Sequence, residues 1–383
     1  MFRDEILNSI NEIIKDKEVY LVGGYLRNYF LNNEVSLDRD LVTPKNSKDL
    51  ALEIAQKLDG TFIELDNKNE IYRVVLKDKV NYFDVSCALN NNILEDIKRR
   101  DFTINSIFYN LNKKEIFDPL NGINDIKNKV LKTANLNNFI DDPLRFLRLY
   151  RFLSLTGFGV DIELSNFIKE NFHLINNVAK ERINYEIIKI FEGQYVVETL
   201  LKMLDDEVLE IIFPFVKEVK KIPNNTHHHL DLIHHLIETV KNIRTDSPIL
   251  KIAAFYHDIG KPKTWSIEPT GRHRFIGHDI LGAQIAIKEL ENLKFSNKQI
   301  AYITKMIKYH IYPATLINCA DNKKAFARFV RKLGVDSLDV IELSRADRLS
   351  ALGPAVSKEM IEKSLSHLED LKFPLFLCHL KKL

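Results

Sequence analysis

Two carboxylates one residue apart, Asp38 and Asp40 in the run Leu-Asp-Arg-Asp-Leu-Val-Thr, have the type and spacing to do chemistry. At i and i+2 of an apolar-flanked strand they share one face, close enough to hold hard divalent cations between them. Arg39, between the two, belongs to the opposite face and is neutral for metal binding. Upstream, Leu-Val-Gly-Gly-Tyr-Leu-Arg-Asn turns on Gly23 and Gly24, whose bare backbone lets N–H groups approach a triphosphate. Arg27, in the helix expected to follow, adds positive charge. The set suits phosphoryl transfer, which needs cations and positioning but no protein nucleophile.

These residues need a sheet beneath them and helices beside it. Up to about residue 133, short β-like runs at 20–22, 72–76 and 82–87 mix with helical stretches, the pattern of an α/β or α+β unit. Asp84, in the alternating Tyr-Phe-Asp-Val-Ser, reads equally well as a third acid on a neighbouring strand and as a satisfied structural carboxylate. From Asp141 onward apolar residues recur at helical spacing, as in Leu144, Leu147 and Tyr150, with Asp141 or Asp142 before Pro143 as a helix start. Asp142, Arg145, Arg148 and Arg151 recur every three residues and are expected to line one wide helix face. A polar break at Ile222-Pro-Asn-Asn-Thr226 precedes a histidine-rich helix. The expected division is residues 1–133, 134–222 and 223–383.

Composition sets outer bounds. At 383 residues the chain is too long for one core. No apolar run approaches the ~20 residues a bilayer span needs, and Met-Phe-Arg-Asp-Glu lacks a signal-peptide core, so a cytoplasmic protein is expected. Cys87, Cys319 and Cys378 are far apart and form neither a disulfide framework nor a paired metal motif. The net charge of +2 means that any nucleic-acid surface must be a local patch.

Further motifs follow in order: Arg99-Arg-Asp-Phe-Thr-Ile-Asn-Ser-Ile-Phe-Tyr109, Phe117-Asp-Pro-Leu-Asn-Gly-Ile-Asn-Asp125, Asp141-Asp-Pro-Leu-Arg-Phe-Leu-Arg-Leu-Tyr-Arg-Phe152, then Glu181-Arg-Ile183 and Glu186. With the Gly-Gly and Asp-x-Asp runs, about the first half of the chain resembles the bacterial tRNA nucleotidyltransferase and poly(A) polymerase family, template-independent enzymes that build or repair the 3′ CCA end of tRNA. The resemblance implies an α+β multidomain protein, with a mixed-sheet nucleotidyltransferase head, an all-helical neck and body, and a helical C-terminal part. It implies Asp38 and Asp40 as Mg²⁺ ligands and catalytic residues, and Gly23, Gly24, Arg27 and Arg100 at the incoming nucleotide. Asp142 and Arg145 are implied to stand in for a template base: arginine donates to cytosine O2 and N3 or to adenine N1, and the carboxylate accepts from the exocyclic amine. Arg148 and Arg151 are implied as phosphate or helix-supporting partners, and Glu181 and Arg182 as holding the helix in register. The sequence departs from the family at Asn28, where aspartate is usual, which bears on the fine placement of Arg27, and at Asn121, where glycine is common.

The last third carries its own metal signature. His235, His257-Asp258 after the apolar stretch 252–256, His278, His310 and Asp347 follow in order, and His257-Asp258 leads into Ile-Gly-Lys-Pro. The series resembles the HD metal-dependent phosphohydrolase domain. That resemblance implies His235, His257, Asp258 and Asp347 as ligands of a divalent ion such as Mg²⁺, Mn²⁺ or Ni²⁺, with His278 and His310 at a second metal or the substrate. His227, His228 and His229 are expected at a loop or helix edge.

Three functions fit these residues. The first is addition of C and A from CTP and ATP to the tRNA 3′ end, with hydrolysis of phosphate esters at the HD domain. The second is a narrower CC-adding, A-adding or poly(A)-making polymerase, differing in a loop between Asp40 and Arg99. The third is an RNA-binding regulatory protein with a decayed site, against which stand the retained like charges of Asp38 and Asp40, for which a dead site has no physical need. The expected partners are the tRNA 3′ end and the two nucleotides, with no membrane, in a monomer or homodimer. The tRNA itself is expected to be read by shape and phosphate contacts, with Lys and Arg scattered over helices such as 162–202.

Overall fold

The computed structural model describes residues 4–33, 36–222, 231–317 and 323–351, with 359, 362–363 and 365–366. The loop 223–226, His227 to His229, Cys319 and Cys378 lie outside the described residues. Described residues fall into two compact units, 1–146 with 158–171, and 147–157 with 172–383.

The first unit is built on a seven-stranded mixed sheet in the order β3-β4-β5-β2-β1-β6-β7. The strands are β1 (Tyr20–Val22), β2 (Asp38–Thr43), β3 (Thr61–Asp66), β4 (Ile71–Val75), β5 (Tyr82–Cys87), β6 (Phe108–Asn110) and β7 (Glu115–Phe117). Within this sheet β2 and β5 pair parallel and the other neighbours antiparallel. The β2–β5 register sets Asp40 opposite Asp84, and the β5–β4 register sets Asp84 opposite Arg73. Because side chains alternate along a strand, Asp38, Asp40, Asp84 and Arg73 share one face while Arg39, Leu41, Phe83 and Val85 take the other. That other face is buried core at Leu41, Phe83 and Val85. Helix α1 (Gly24–Asn32) leaves β1 directly at the Gly-Gly turn, α2 (Ser47–Leu58) packs on β4 and β5, and α3 (Ile93–Lys98) follows β5. Ile93 and Ile97 of α3 pack with Tyr20, Val22, Val42, Ala88 and Phe108 in one buried cluster.

Past the sheet come α4 (Asn137–Asp141) and α5 (Leu144–Thr156), the latter running through the boundary between the units. A two-strand ladder of β8 (Val130–Leu131) and β9 (Gly159–Val160) completes the first unit's strands. Among its described residues the second unit is helical apart from one hairpin: α6 (Lys180–Glu192), α7 (Val196–Asp205), α8 (Leu232–Lys241), α9 (Pro248–Tyr256), the hairpin β10 (Trp265–Ile267) and β11 (His273–Phe275), α10 (His278–Asn292), α11 (Asn297–Tyr309), α12 (Tyr312–Ile317), α13 (Lys323–Leu333) and α14 (Ser337–Ser350). Phe213, Phe215, Phe255 and Tyr256 pack together in edge-to-face and tilted pairs, with ring centroids 4.7–6.2 Å apart.

Candidate functional site

In the first unit, ligand oxygens of Asp38, Asp40 and Asp84 all lie within 4.8 Å of one another. Three like charges this close repel, and burial worsens it. Desolvation, then the Asp38 charge, pushes the Asp40 carboxyl up to about 7. Burial and then Asp84 raise Asp38 as well. The Asp38 Oδ1 atom is buried without a hydrogen bond. An orphaned buried oxygen among clustered carboxylates is the donor set a divalent cation would satisfy, so the residues fit the implied Mg²⁺.

Gly23 adopts φ +72°, and a Cβ there would meet Asp40 Oδ2 at 2.8 Å and approach Arg100 Nη1 at 3.7 Å. Only glycine fits both the conformation and the gap. Arg100 is thereby placed beside the carboxylates. Its Nε and Nη2 donate to buried Asp96 Oδ2 at 3.3 and 3.2 Å, and its guanidinium lies 4.9 Å from the Phe108 ring centre. Arg27 Nη1 donates to Asn105 Oδ1 at 2.8 Å. On the reverse face, Arg39 forms a buried bidentate pair with Asp4 at 2.8 and 3.0 Å, and Tyr25 of α1 donates to the same carboxylate. Arg39 touches no metal-side group in these contacts, and it pins β2 to the chain's start. Asp84 is gripped by Arg73, Nε and Nη2 donating at 2.7 Å each, which satisfies it as a structural carboxylate while it stands within reach of Asp38 and Asp40.

Asp142 marks the helix start expected before Pro143, its carbonyl accepting from the Arg145 amide at 3.0 Å, but it differs from the expectation that it lies on the helix. It sits between α4 and α5 in extended conformation (φ −135°, ψ 91°), and α5 begins after Pro143, so it is not on the helix face that Arg145, Arg148 and Arg151 occupy. The residue before a proline is pushed out of the helical region, which accounts for the shift. Arg145 Nη1 donates to the Asn138 carbonyl at 3.1 Å. Arg151 Nη1 donates to buried Glu186 of α6 at 3.1 Å, stitching α5 to α6. Glu181 and Arg182 are exposed.

In the second unit, helix ends converge. His235 (α8), His257-Asp258 (the turn after α9) and Asp347 (α14) form one group, and Asp258, His278 and His310 form another. His257, His278 and His310 each direct Nδ1 at a backbone carbonyl, of Ala254, Phe275 and Ile307, at 2.6–2.7 Å. Donation there fixes the tautomer and leaves Nε2 a bare lone pair. His235 Nε2 lies 3.2 Å from His257 Nε2, and His278 Nε2 lies 3.4 Å from His310 Nε2. Lone pairs facing at that distance call for a cation between them. Asp258 Oδ2 faces the first pair at 3.4 and 3.2 Å, and Oδ1 faces the second at 3.1 and 3.6 Å. Both oxygens are buried without a hydrogen bond, and Lys261 is in ion-pair contact with Oδ2. Burial lowers the His257 pKa, but with no cation present Asp258 and then Asp347 outweigh it and hold it up at about 10, so a proton takes the place on Nε2 that a metal would displace. A Cβ on Gly260 would meet the His278 carbonyl oxygen at 2.1 Å, so this glycine permits the turn to pack on α10.

Comparison with known proteins agrees along the chain. Residues 19–132 match the poly(A) polymerase head domain, 157–220 the probable RNA and SrmB-binding site of polymerase A, and 226–352 the HD domain. The A-adding tRNA nucleotidyltransferase of Deinococcus radiodurans is 28% identical over 88% of this chain and 78% of its own length. The CC-adding enzyme of Thermus thermophilus is 26% identical over 94% and 82%. The CCA-adding enzyme of Francisella tularensis subsp. tularensis is 35% identical over 54% and 60%. The Thermotoga maritima CCA-adding enzyme complexed with tRNA shares the fold at TM-score 0.67 and 21% identity, covering 96% of this chain and 81% of that one. The chain belongs to the tRNA nucleotidyltransferase and poly(A) polymerase family.

Within this nucleotidyltransferase, both departures from the family pattern are structurally accommodated. Asn28 Oδ1 accepts from Arg27 Nε and Nη2 at 3.2 and 3.0 Å, so the amide oxygen does the positioning that a carboxylate would do. Asn121 has φ +63°, a left-handed conformation that asparagine tolerates in place of glycine. Sequence reading missed the supporting roles of Asp4, Arg73, Asp96 and Asn105. Asp96 and Asn105 had a signal, one lying three and four residues before Arg99-Arg100 at helical spacing and the other inside the same motif, whereas Asp4 and Arg73 reach their partners only through the fold.

Proposed function

We propose that the chain adds C and A nucleotides from CTP and ATP to the 3′ end of tRNA, with the head centre at Asp38 and Asp40 as its catalytic site. The observation that carries this is the carboxylate cluster with Gly23 clearing Asp40 by less than a methyl group's width. Asp38 and Asp40 hold divalent ions, with Asp84 as the third acid, oriented by Arg73. Bound Mg²⁺ supplies charge neutralisation on the triphosphate and a lowered pKa for the RNA hydroxyl. The Gly23-Gly24 turn gives the triphosphate a close backbone approach, and Arg27 and Arg100 add charge on the same side. Asp142 and Arg145 select cytosine and adenine over uracil and guanine by hydrogen bonding. Arg148 contacts phosphate, and Arg151, held by Glu186, supports the helix. In this reading residues 1–133 form the head, 134–222 the neck and body, and 223–383 the HD part of a cytoplasmic monomer or homodimer.

Two relatives that match most of the chain are A-adding and CC-adding, which favours a single-task product as a second reading. Incubating the protein with tRNAs ending at the discriminator base, at C or at CC, with CTP, ATP or both, and sequencing the products decides between them. Extension of none of the three overturns the assignment.

The second unit's cluster is a metal-dependent phosphohydrolase centre in this proposal. His235, His257, Asp258 and Asp347 would hold one divalent ion, and Asp258, His278 and His310 would hold a second. Divalent ions there supply an activated water for attack on phosphate. Metal analysis of Mn²⁺-loaded, desalted protein should give two ions per chain at this centre and one in His278→Ala. Equal counts in both would remove the second ion.

A further inference from the structure

Helices α11, α12 and α13 border a half-open pocket of about 410 Å³, lined chiefly by Tyr309, Tyr312, Phe329, Arg328, Arg331 and Lys332. Its walls divide by chemistry. Tyr312 and Phe329 stack at 5.6 Å with rings 22° from parallel, forming a flat aromatic side anchored on buried Phe329. Lys332 Nζ lies 5.0 Å and Lys308 Nζ 5.8 Å from the centre of the Tyr309 ring. Arg328, Arg331 and Lys332 fall at i, i+3 and i+4 of α13 and so share one face, and no carboxylate lines the pocket among the described residues.

An anion alone would not need three rings, and an apolar ligand would not need three cations. A ligand with a flat aromatic part and a negative charge uses both. The volume lies within the range typical for small-molecule sites and fits one nucleotide. We propose that this cavity binds a nucleoside phosphate, its base against the Tyr309, Tyr312 and Phe329 rings and its phosphate on the α13 cations. The nucleotide is either free or one unit of a single-stranded RNA. This position is separate from the incoming-nucleotide site of the head and does not depend on the head assignment. Tyr309 and Tyr312 flank His310 in sequence, so the cavity is built on the helices that carry a residue of the histidine cluster.

The test uses the full-length protein in EDTA, with a fluorescein-labelled hexaribonucleotide read by anisotropy and unlabelled CMP or inorganic phosphate as competitors. Arg331→Glu combined with Lys332→Glu should weaken hexamer binding about tenfold or more and flatten its salt dependence by roughly the slope of two phosphate contacts. Tyr309→Leu should weaken binding with the salt slope unchanged, because it removes stacking alone. CMP competing as well as unlabelled hexamer identifies a free nucleotide as the ligand, and hexamer competing far better identifies an RNA strand. Both outcomes support the site. It is overturned if the folded charge-reversal variant binds the hexamer and CMP within twofold of wild type, or if inorganic phosphate competes as well as CMP.

Discussion

Asp40 carries a proton in the folded, metal-free protein at a pH where it is ionised in the unfolded chain. Its pKa stands at about 7 against 3.8, through burial and then Asp38. Between those values the folded state holds the extra proton, so this group's stabilising contribution is present at low pH and is lost as pH rises toward 7. Asp40→Asn should therefore raise the thermal midpoint of metal-free protein at pH 8 and flatten its pH dependence over this window, whereas a midpoint unchanged or lowered would contradict the buried-charge account. Metal uptake runs the other way. Because cation and proton compete, incorporation at limiting Mg²⁺ should fall by up to about tenfold per pH unit below 7. At saturating metal nearly all rate should vanish in Asp38→Ala, a loss of several kcal/mol or about 10³-fold. Gly23→Ala, whose methyl would lie 2.8 Å from Asp40 Oδ2, should cost on the order of 10²-fold with tRNA binding retained. For Arg145→Ala, kcat/KM on all four nucleotides should show UTP and GTP rising roughly tenfold relative to CTP and ATP, the ~1–3 kcal/mol of a bidentate contact. An unchanged ranking would make Arg145 structural.

Elements explain which parts of this were readable from sequence. The period of two in Asp38-Arg39-Asp40 fixed the face of β2 before any coordinates, and the glycine pair fixed the turn into α1. Helix α5 starts where Asp142-Pro143 signals it, but the helical spacing 142, 145, 148, 151 carries only the three arginines onto the helix, because Pro143 holds Asp142 in extended conformation before it. Glu186 stood in a recognised motif, yet its pairing with Arg151 across α5 and α6 needed the packing of two helices to become visible. Asp4 and Arg39, far apart in sequence, offered no local signal at all. The side chains are 2% exposed at Asp4 and 3% at Arg39, so Arg39→Ala strands a buried carboxylate and should cost about 3–5 kcal/mol in chemical denaturation. Arg39→Ala with Asp4→Ala should recover part of that loss. A double variant no more stable than the single would show that the pair's burial is not what holds β2.

At the scale of the whole molecule, the carboxylate cluster lies in one compact unit and the histidine cluster in the other. Replacing His257 and Asp258 together by alanine should abolish phosphate-ester hydrolysis and leave incorporation within about twofold. A parallel fall of both activities in a folded variant would tie the two centres together. The molecule's single tryptophan adds something to this second centre. Trp265 opens the hairpin that joins Lys261 to His278, and its register partner Phe275 supplies the carbonyl that orients the His278 ring. Its indole is 38% exposed and lies 5.5 Å from the His273 ring. The protein thus has an intrinsic fluorophore built into the connection between the two groups of its histidine cluster. Excited selectively, that one indole should report metal added to the second unit as a change in emission, to which the tryptophan-free head contributes nothing.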